Sequence, residues 1–293
     1  MKIAALLTVF LIALGAHGRS NLPSSQADFQ IVVAATTDTG GFELRTRSTD
    51  GSTTSVLGQL TQSLGATVSS NGAKLAQLDN AQPSPLSVSN IDGSDAHFVG
   101  APGEPALDPA LSPDGSLVVF QTAITGPIVT EQFIGIANSD GSDFRLLTTQ
   151  PDIPFQPQFD PTGSKVIFVS QIPTTTVQII NVDGTGQRLL YSATDVNTNY
   201  PTLSPDGKHL AFTSNFELWV ANLKSGTKRK IAEDVRNGTR PYFSPDGKWI
   251  IYTALQGPGG GPLTHPTIVR VNGTGAIALP VTNGERVAGV IPE

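Results

Sequence analysis

The reading of this chain turns on Tyr200-Pro201-Thr202-Leu203-Ser204-Pro205-Asp206-Gly207-Lys208-His209-Leu210-Ala211-Phe212-Thr213-Ser214. Its centre is a turn. Ser204 is placed to accept a backbone hydrogen bond, Pro205 presets φ at the second position, and Gly207 closes a type I turn at the fourth. A strand follows, with Leu210 and Phe212 on one face at a period of two. Outward from this stretch the same turn recurs at Ser112-Pro113-Asp114-Gly115, Asp160-Pro161-Thr162-Gly163 and Ser244-Pro245-Asp246-Gly247, with a decayed copy at Ser69-Ser70-Asn71-Gly72. The strands after these turns alternate in the same way: Val118 and Phe120, Val166 and Phe168, Ile250 and Tyr252. Their other face is also often apolar, as with Ile167 and Val169, which is expected of sheets packed on both sides.

A second marker runs in phase with the first. Asp50-Gly51, Asp92-Gly93, Asp140-Gly141, Asp183-Gly184, Ser225-Gly226 and Asn272-Gly273 are spaced by 42, 48, 43, 42 and 47 residues. Each joins two strands, such as 216–223 and 227–232, and Asx-Gly suits a type I′ hairpin in which both central residues have positive φ. Six copies at this period match the four-stranded blade of a propeller. Helix formers do not cluster with a 3.6-residue period after residue 18, whereas Gly (30) and Pro (22) abound. The fold class predicted is therefore all-β, a six-bladed β-propeller of four-stranded antiparallel blades. The first copy begins at Phe29 with what matches a second strand, and 286–291 is a short apolar stretch with no blade after it. That segment is expected to supply the missing innermost strand of blade one and close the ring, which removes exposed sheet edges.

The pattern Tyr200-Pro201-x-x-Ser204-Pro205-Asp206-Gly207-Lys208-x-Leu210-x-Phe212-x-Ser214, followed by Leu218-Trp219-Val220-x-Asn222, resembles the repeat of TolB-like propellers. The same repeat appears in the propeller domains of some exported peptidases. The resemblance covers nearly all of 28–291, clearly in blades three to six and weakly in blades one and two. It implies the fold and leaves the function open, since one propeller hosts many roles. TolB itself carries a further N-terminal domain, and the propeller peptidases add an α/β hydrolase domain. Here about ten residues precede the first strand after the signal peptide, and the chain stops at Glu293. The expectation is a stand-alone propeller, not TolB proper.

The start of the chain reads as a signal peptide over 1–18. Lys2 precedes an apolar run over 3–14 broken by Thr8, and Gly15-Ala16-His17-Gly18 offers small residues for cleavage before Arg19. The run is too short for a membrane span, which needs about 20 residues. The organisation expected is thus a signal peptide and one propeller domain over 19–293, located in the periplasm or outside the cell. With no cysteine there is no disulfide framework and no lipidated Cys, and no membrane insertion is expected. Losing 1–18 removes one of 18 basic residues and none of the 24 acidic ones, so the net charge moves from −6 to −7. That excludes a nucleic-acid partner, whose phosphates demand a basic surface, and leaves no basic patch for anionic lipid. Lys228-Arg229-Lys230 is the one basic cluster and is read as protecting a strand edge.

Catalytic motifs are sparse. His97, His209 and His265 have no metal-binding spacing, no serine sits in a G-x-S-x-G elbow, and the Gly/Pro loop over 257–262 lacks the Lys-Ser/Thr of a phosphate loop. Asn138-Ser139-Asp140-Gly141-Ser142-Asp143 lacks the length and terminal Glu of an EF-hand and reads as a hairpin turn. No catalytic residue, no metal and no cofactor is assigned. The candidate site is positional. Four residues before each turn stand Asp108, Gln156, Tyr200 and Arg240, each followed by Pro, with Arg286 as their counterpart in the closing strand. Innermost strands line the channel of a propeller, so these five are the candidate binding residues of its mouth. The function read from the sequence is an exported, monomeric binding or scaffold propeller whose partner is a protein, a peptide or a glycan. The alternative is a small exported hydrolase or lyase acting on a polysaccharide or peptide. It requires two close acid/base groups in the channel.

Overall fold

The computed structural model describes residues 29–37, 39–49, 54–60, 65–79, 85–101, 104–125, 130–149, 153–171, 174–192, 198–255, 264–279 and 285–292. The signal-peptide reading of 1–18, the Asp50-Gly51 turn and the 257–262 loop lie outside these residues. The described residues form six four-stranded antiparallel sheets and no helix. Blade two holds β4 (Thr67–Val68), β5 (Lys74–Leu78), β6 (Leu86–Asn90) and β7 (His97–Val99). Blade three holds β8 (Ala106–Leu111), β9 (Leu117–Thr125), β10 (Thr130–Asn138) and β11 (Arg145–Leu146). Blade four holds β12 (Pro154–Phe159), β13 (Lys165–Ser170), β14 (Thr176–Asn181) and β15 (Arg188–Ser192). Blade five holds β16 (Asn199–Leu203), β17 (His209–Ser214), β18 (Glu217–Asn222) and β19 (Lys228–Ala232). Blade six holds β20 (Tyr242–Phe243), β21 (Trp249–Leu255), β22 (Thr264–Arg270) and β23 (Ile277–Ala278).

Blade one joins the two ends of the chain. β1 (Phe29–Thr36), β2 (Phe42–Ser48) and β3 (Thr54–Leu60) are completed by β24 (Arg286–Pro292), which pairs antiparallel with β1 as the innermost strand. The innermost strands β4, β8, β12, β16, β20 and β24 each touch the next, and β24 touches β4, so the ring is closed. A buried ion pair fastens the seam. Glu285, fully buried, accepts from Arg47 at 2.6 Å, with Arg45 at 4.0 Å and Glu43 paired to Arg45. Gly289 sits against blade two so closely that a Cβ there would lie 2.3 Å from Val68 Cγ2.

Each pair of neighbouring blades shares an apolar layer, which explains why both faces of the central strands are apolar. Val119, Ile134 and Ile136 of blade three pack on Phe159, Val166 and Phe168 of blade four. Ile167, Val177 and Ile179 meet Leu203, Leu210 and Phe212 of blade five. At the seam, Phe29, Ile31 and Val33 pack on Trp249, Ile251 and Ile268. Phe120, Phe168 and Phe212, which occupy one register position, are among the largest fully buried side chains.

The turns work through side-chain hydrogen bonds. Ser204 Oγ accepts from His209 N at 2.9 Å and donates to Asp206 at 2.6 Å, while Gly207 N closes onto Ser204 O. Ser112/Asp114 and Ser244/Asp246 repeat this. Asp160 and Thr162 do the same with acid and hydroxyl exchanged, and Ser69 with Asn71 reproduces it in the decayed copy.

The second marker departs from expectation. At Asp92-Gly93, Asp140-Gly141, Asp183-Gly184, Ser225-Gly226 and Asn272-Gly273 only the glycine has positive φ. In the turn over 90–93, Gly93 N donates to Asn90 O, so glycine stands at the fourth position of the turn, and the Asp92 carboxylate caps Ser94 N. These are not type I′ hairpins, which need two consecutive positive φ values; the Asp, Ser or Asn side chain instead accepts from the backbone N two residues on. The type I′ signature occurs instead at Asn215-Phe216, between β17 and β18, where both φ values are positive (49° and 64°). The basic cluster Lys228-Arg229-Lys230 does lie on β19, the outermost strand of blade five.

Candidate functional site

All innermost strands run the same way. Their starts share one end of the ring, called here the upper face, with the ends of the second strands and the starts of the third. The marker turns among the described residues, of both families, lie on the opposite, lower face.

At the start of β8, β12 and β16 the register slips by one residue, between Leu107 and Ala110, Phe155 and Gln158, and Asn199 and Thr202. Each slip is a β-bulge built on a dipeptide whose second member is Pro. Proline has no N–H to offer the ladder, so a bulge there forfeits no donor. The residue before it takes a left-handed conformation: Asp108 at φ 48°, Gln156 at 53° and Tyr200 at 50°. Non-glycine residues pay roughly 1–2 kcal/mol for that conformation, and bulges re-aim a side chain. Gly65 stands in the same register in blade two, at φ 77°, with Ala66 in place of proline.

Arg240 and Arg286 reach the upper face differently. Neither has positive φ. Arg286 begins β24, opposite Ala34. Arg240 is the penultimate residue of the connection over 233–241, which is fixed at several points: Val235 bridges Ala254, Arg236 N donates to Thr253 O, and Thr239 Oγ1 donates to Arg236 O. From blade six Arg240 reaches to blade four, where its Nη2 donates to Pro157 O at 3.0 Å.

Asp108, Tyr200, Arg240 and Arg286 line one cavity of about 90 Å³ together with Gly65, Gly238, Thr239 and Tyr242. Gln156 is not on its wall. It is buried and braces the site, its Oε1 accepting from Tyr200 N at 2.7 Å. Burial pushes the Asp108 carboxyl up, against the pull of the Arg240 guanidinium. Burial and the Asp108 charge raise the Tyr200 phenol. Burial and the Arg236 guanidinium lower Arg286 to about 10, which leaves it charged at neutral pH. Asp108 is the one carboxyl, and there is no histidine, among the described residues of the wall.

The sequence reading missed Arg236, Thr239 and Tyr242. Tyr242 lines this cavity and also a second one of about 240 Å³ opening to the lower face, and its hydroxyl donates to Ala288 O at 3.1 Å. The lower cavity is lined mainly by Leu111, Phe159, Leu203 and Phe243 and by the turn prolines. Each of the turn aspartates Asp114, Asp206 and Asp246 spends a carboxylate oxygen on the serine hydroxyl of its own turn.

The sequence family described as the TolB beta propeller domain matches residues 128–283. TolB from Acinetobacter baumannii superposes with a TM-score of 0.72 at 17% identity, over 90% of this chain and 66% of that one. A chain of a nidogen/laminin complex gives 0.65 at 13% identity, over 90% and 97%. Oligogalacturonate lyase from Vibrio parahaemolyticus gives 0.58 at 12% identity, over 88% and 77%. At these identities the likeness is one of fold.

Proposed function

The chain belongs to the TolB β-propeller domain family, and on that premise we propose that it is an exported binding propeller holding a protein or peptide on its upper face. Export rests on the signal sequence read at 1–18. One observation carries the choice of face. Leu107, Ile124, Ile153 and Phe216, all exposed, lie on blades three, four and five at the upper end, the end at which Asp108, Tyr200, Arg240 and Arg286 line the cavity. The other large exposed apolar side chains among the described residues, Val56, Phe98 and Leu189, sit on outermost strands instead. Two of the upper four are held in a conformation unusual for their type. Ile153 has φ 44° and Phe216 has φ 64°. A β-branched or bulky residue there is an outlier of the kind that clusters at functional sites. Apolar side chains exposed together at one end of the ring, with Tyr and Arg at the pocket between the blades, favour a protein partner.

The test is capture of partners from the source's envelope extract by residues 19–293. Wild type is compared with Tyr200→Ala and Phe216→Ser on the upper face and Lys208→Ala on the lower face. A partner kept by wild type and Lys208→Ala, and lost by the two upper-face variants, is the expected result. A partner lost only with the lower-face variant would overturn the assignment.

A further inference from the structure

We infer that the upper-face cavity is a carboxylate-binding pocket, taking an acidic side chain or chain terminus of a peptide between Arg240 and Arg286; this deepens the proposed function and rests on it. Charge comes first. The chain as a whole is at −6, yet its cavity wall carries Arg240 and Arg286 against the single carboxyl of Asp108, with Arg236 close enough to act on Arg286. Elsewhere cations find partners, some of them carboxylates (Arg47 with Glu285, Lys230 with Glu217 and Glu233, Lys248 with Asp246), others a backbone carbonyl or an indole ring (Arg145, Arg229, Arg270). Glu285, next to Arg286 in sequence, is committed to Arg47. Among the described residues none of the three mouth arginines lies in an ion pair, and like charges held together this way cost free energy unless an anion sits between them.

Hydrogen bonding gives a second, independent reason. Arg240 is only 8% exposed, and its Nη2 is taken by Pro157 O, but its buried Nε has no partner among the described residues. A buried guanidinium donor left empty costs more than an ordinary missing hydrogen bond. A guanidinium edge matches the two oxygens of a carboxylate. The Tyr200 hydroxyl adds a further polar group, since a Cβ on Gly238 would stand 3.9 Å from it. The exposed Leu107, Ile153 and Phe216 at the same end of the ring favour a peptide as the bearer of the acid.

The experiment is selection of a phage-displayed random heptapeptide library on residues 19–293, followed by titration of the enriched peptides and of their Glu→Gln or Asp→Asn forms. Arg286→Met is the main variant, because Arg286 is half-buried and makes no ion pair. Arg286→Lys keeps the charge, and Phe216→Ser tests the exposed apolar side chains. Expected are peptides with one acid beside apolar residues, weakened at least tenfold by the amide form and by Arg286→Met, with partial recovery in Arg286→Lys. Peptides without an acid that depend on Phe216 and ignore Arg286→Met would overturn the carboxylate pocket and leave the binding face standing. Peptides insensitive to every upper-face variant would overturn the binding face itself. An oligouronate that binds in an Arg286-dependent way, with no acidic peptide enriched, would overturn the peptide as the source of the carboxylate.

Discussion

Replacing Glu285 by alanine tests what fastens the ring. The Glu285 carboxylate is fully buried and 2.6 Å from Arg47, whose side chain is 5% exposed. Removing the acid leaves a guanidinium in the protein interior without its partner, a change that costs about 3–5 kcal/mol. The lower part of that range applies. Glu285 Oε2 and Arg47 Nε already have no partner among the described residues, and Glu43, through Arg45, keeps some negative charge nearby. A loss of about 3 kcal/mol is a large share of the roughly 5–15 kcal/mol that a domain has. With a urea m-value of about 3 kcal/mol/M, the unfolding midpoint falls by about 1 M. The chain has two tryptophans, and Trp249 packs at the seam with Phe29, Ile31 and Val287, so equilibrium fluorescence in urea reads this contact. Arg47→Met alone should cost a similar amount, because it strands the carboxylate. The double variant Glu285→Leu/Arg47→Met should return to within about 1 kcal/mol of wild type, since an apolar pair of similar volume replaces a buried ion pair at little cost. A cost below about 1 kcal/mol for Glu285→Ala, or a double variant as unstable as the sum of the singles, would refute the buried pair as the fastening.

Two further outcomes follow from the turns. Phe216→Gly places Asn-Gly in a two-residue hairpin whose second residue has φ 64°; relief of the left-handed strain is expected to stabilise the fold by about 1 kcal/mol, read as a rise in Tm of about 2–4 °C, while partner capture weakens, and a fall in Tm would show that the Phe216 ring is held for packing and not for binding. Asp206 is mostly exposed and is lowered to about 2 by the hydrogen bonds from Ser204 and Lys208 N. A carboxylate with a depressed folded pKa contributes stability that is full above its unfolded value near 3.9 and disappears as pH falls toward about 2. Asp206→Asn should therefore lower Tm at pH 5 and converge with wild type at pH 2, and an unchanged Tm at pH 5 would contradict the turn's role.

The fold was legible because its punctuation is local chemistry. Ser-Pro-Asp-Gly dictates one turn wherever it stands, and even Ser69-Ser70-Asn71-Gly72 keeps the hydroxyl and the side-chain oxygen that do the work. Closure was legible by counting: a first copy lacking its innermost strand and a spare strand at 286–291. The misread hairpin turns have a local cause too. Asp-Gly fits two geometries, and the choice rests on whether the Asp side chain or a second positive φ satisfies the backbone, which the pair of letters does not record.

The site was legible only as far as it is repetitive. Asp108, Gln156 and Tyr200 could be aligned because each precedes a proline at a bulge, but register alone does not tell wall from brace. Gln156 turns inward to hold Tyr200 N, and that depends on the neighbouring blade, 44 residues away. Arg240 fits the register in sequence and escapes it in space. It comes from a connection pinned by Val235 and Arg236, and it crosses to Pro157, 83 residues back. The positive character of the cavity exists in no segment, because the arginine of the closing strand meets those of the connection between blades five and six only once the ring is shut. A chain with a net charge of −6 can thus carry a cationic pocket, and the seam held by Glu285 and Arg47, one residue away from Arg286, is what assembles it. Opening that seam should cost the carboxylate pocket before it costs the apolar layers of blades three to five, which are built from neighbouring stretches of chain.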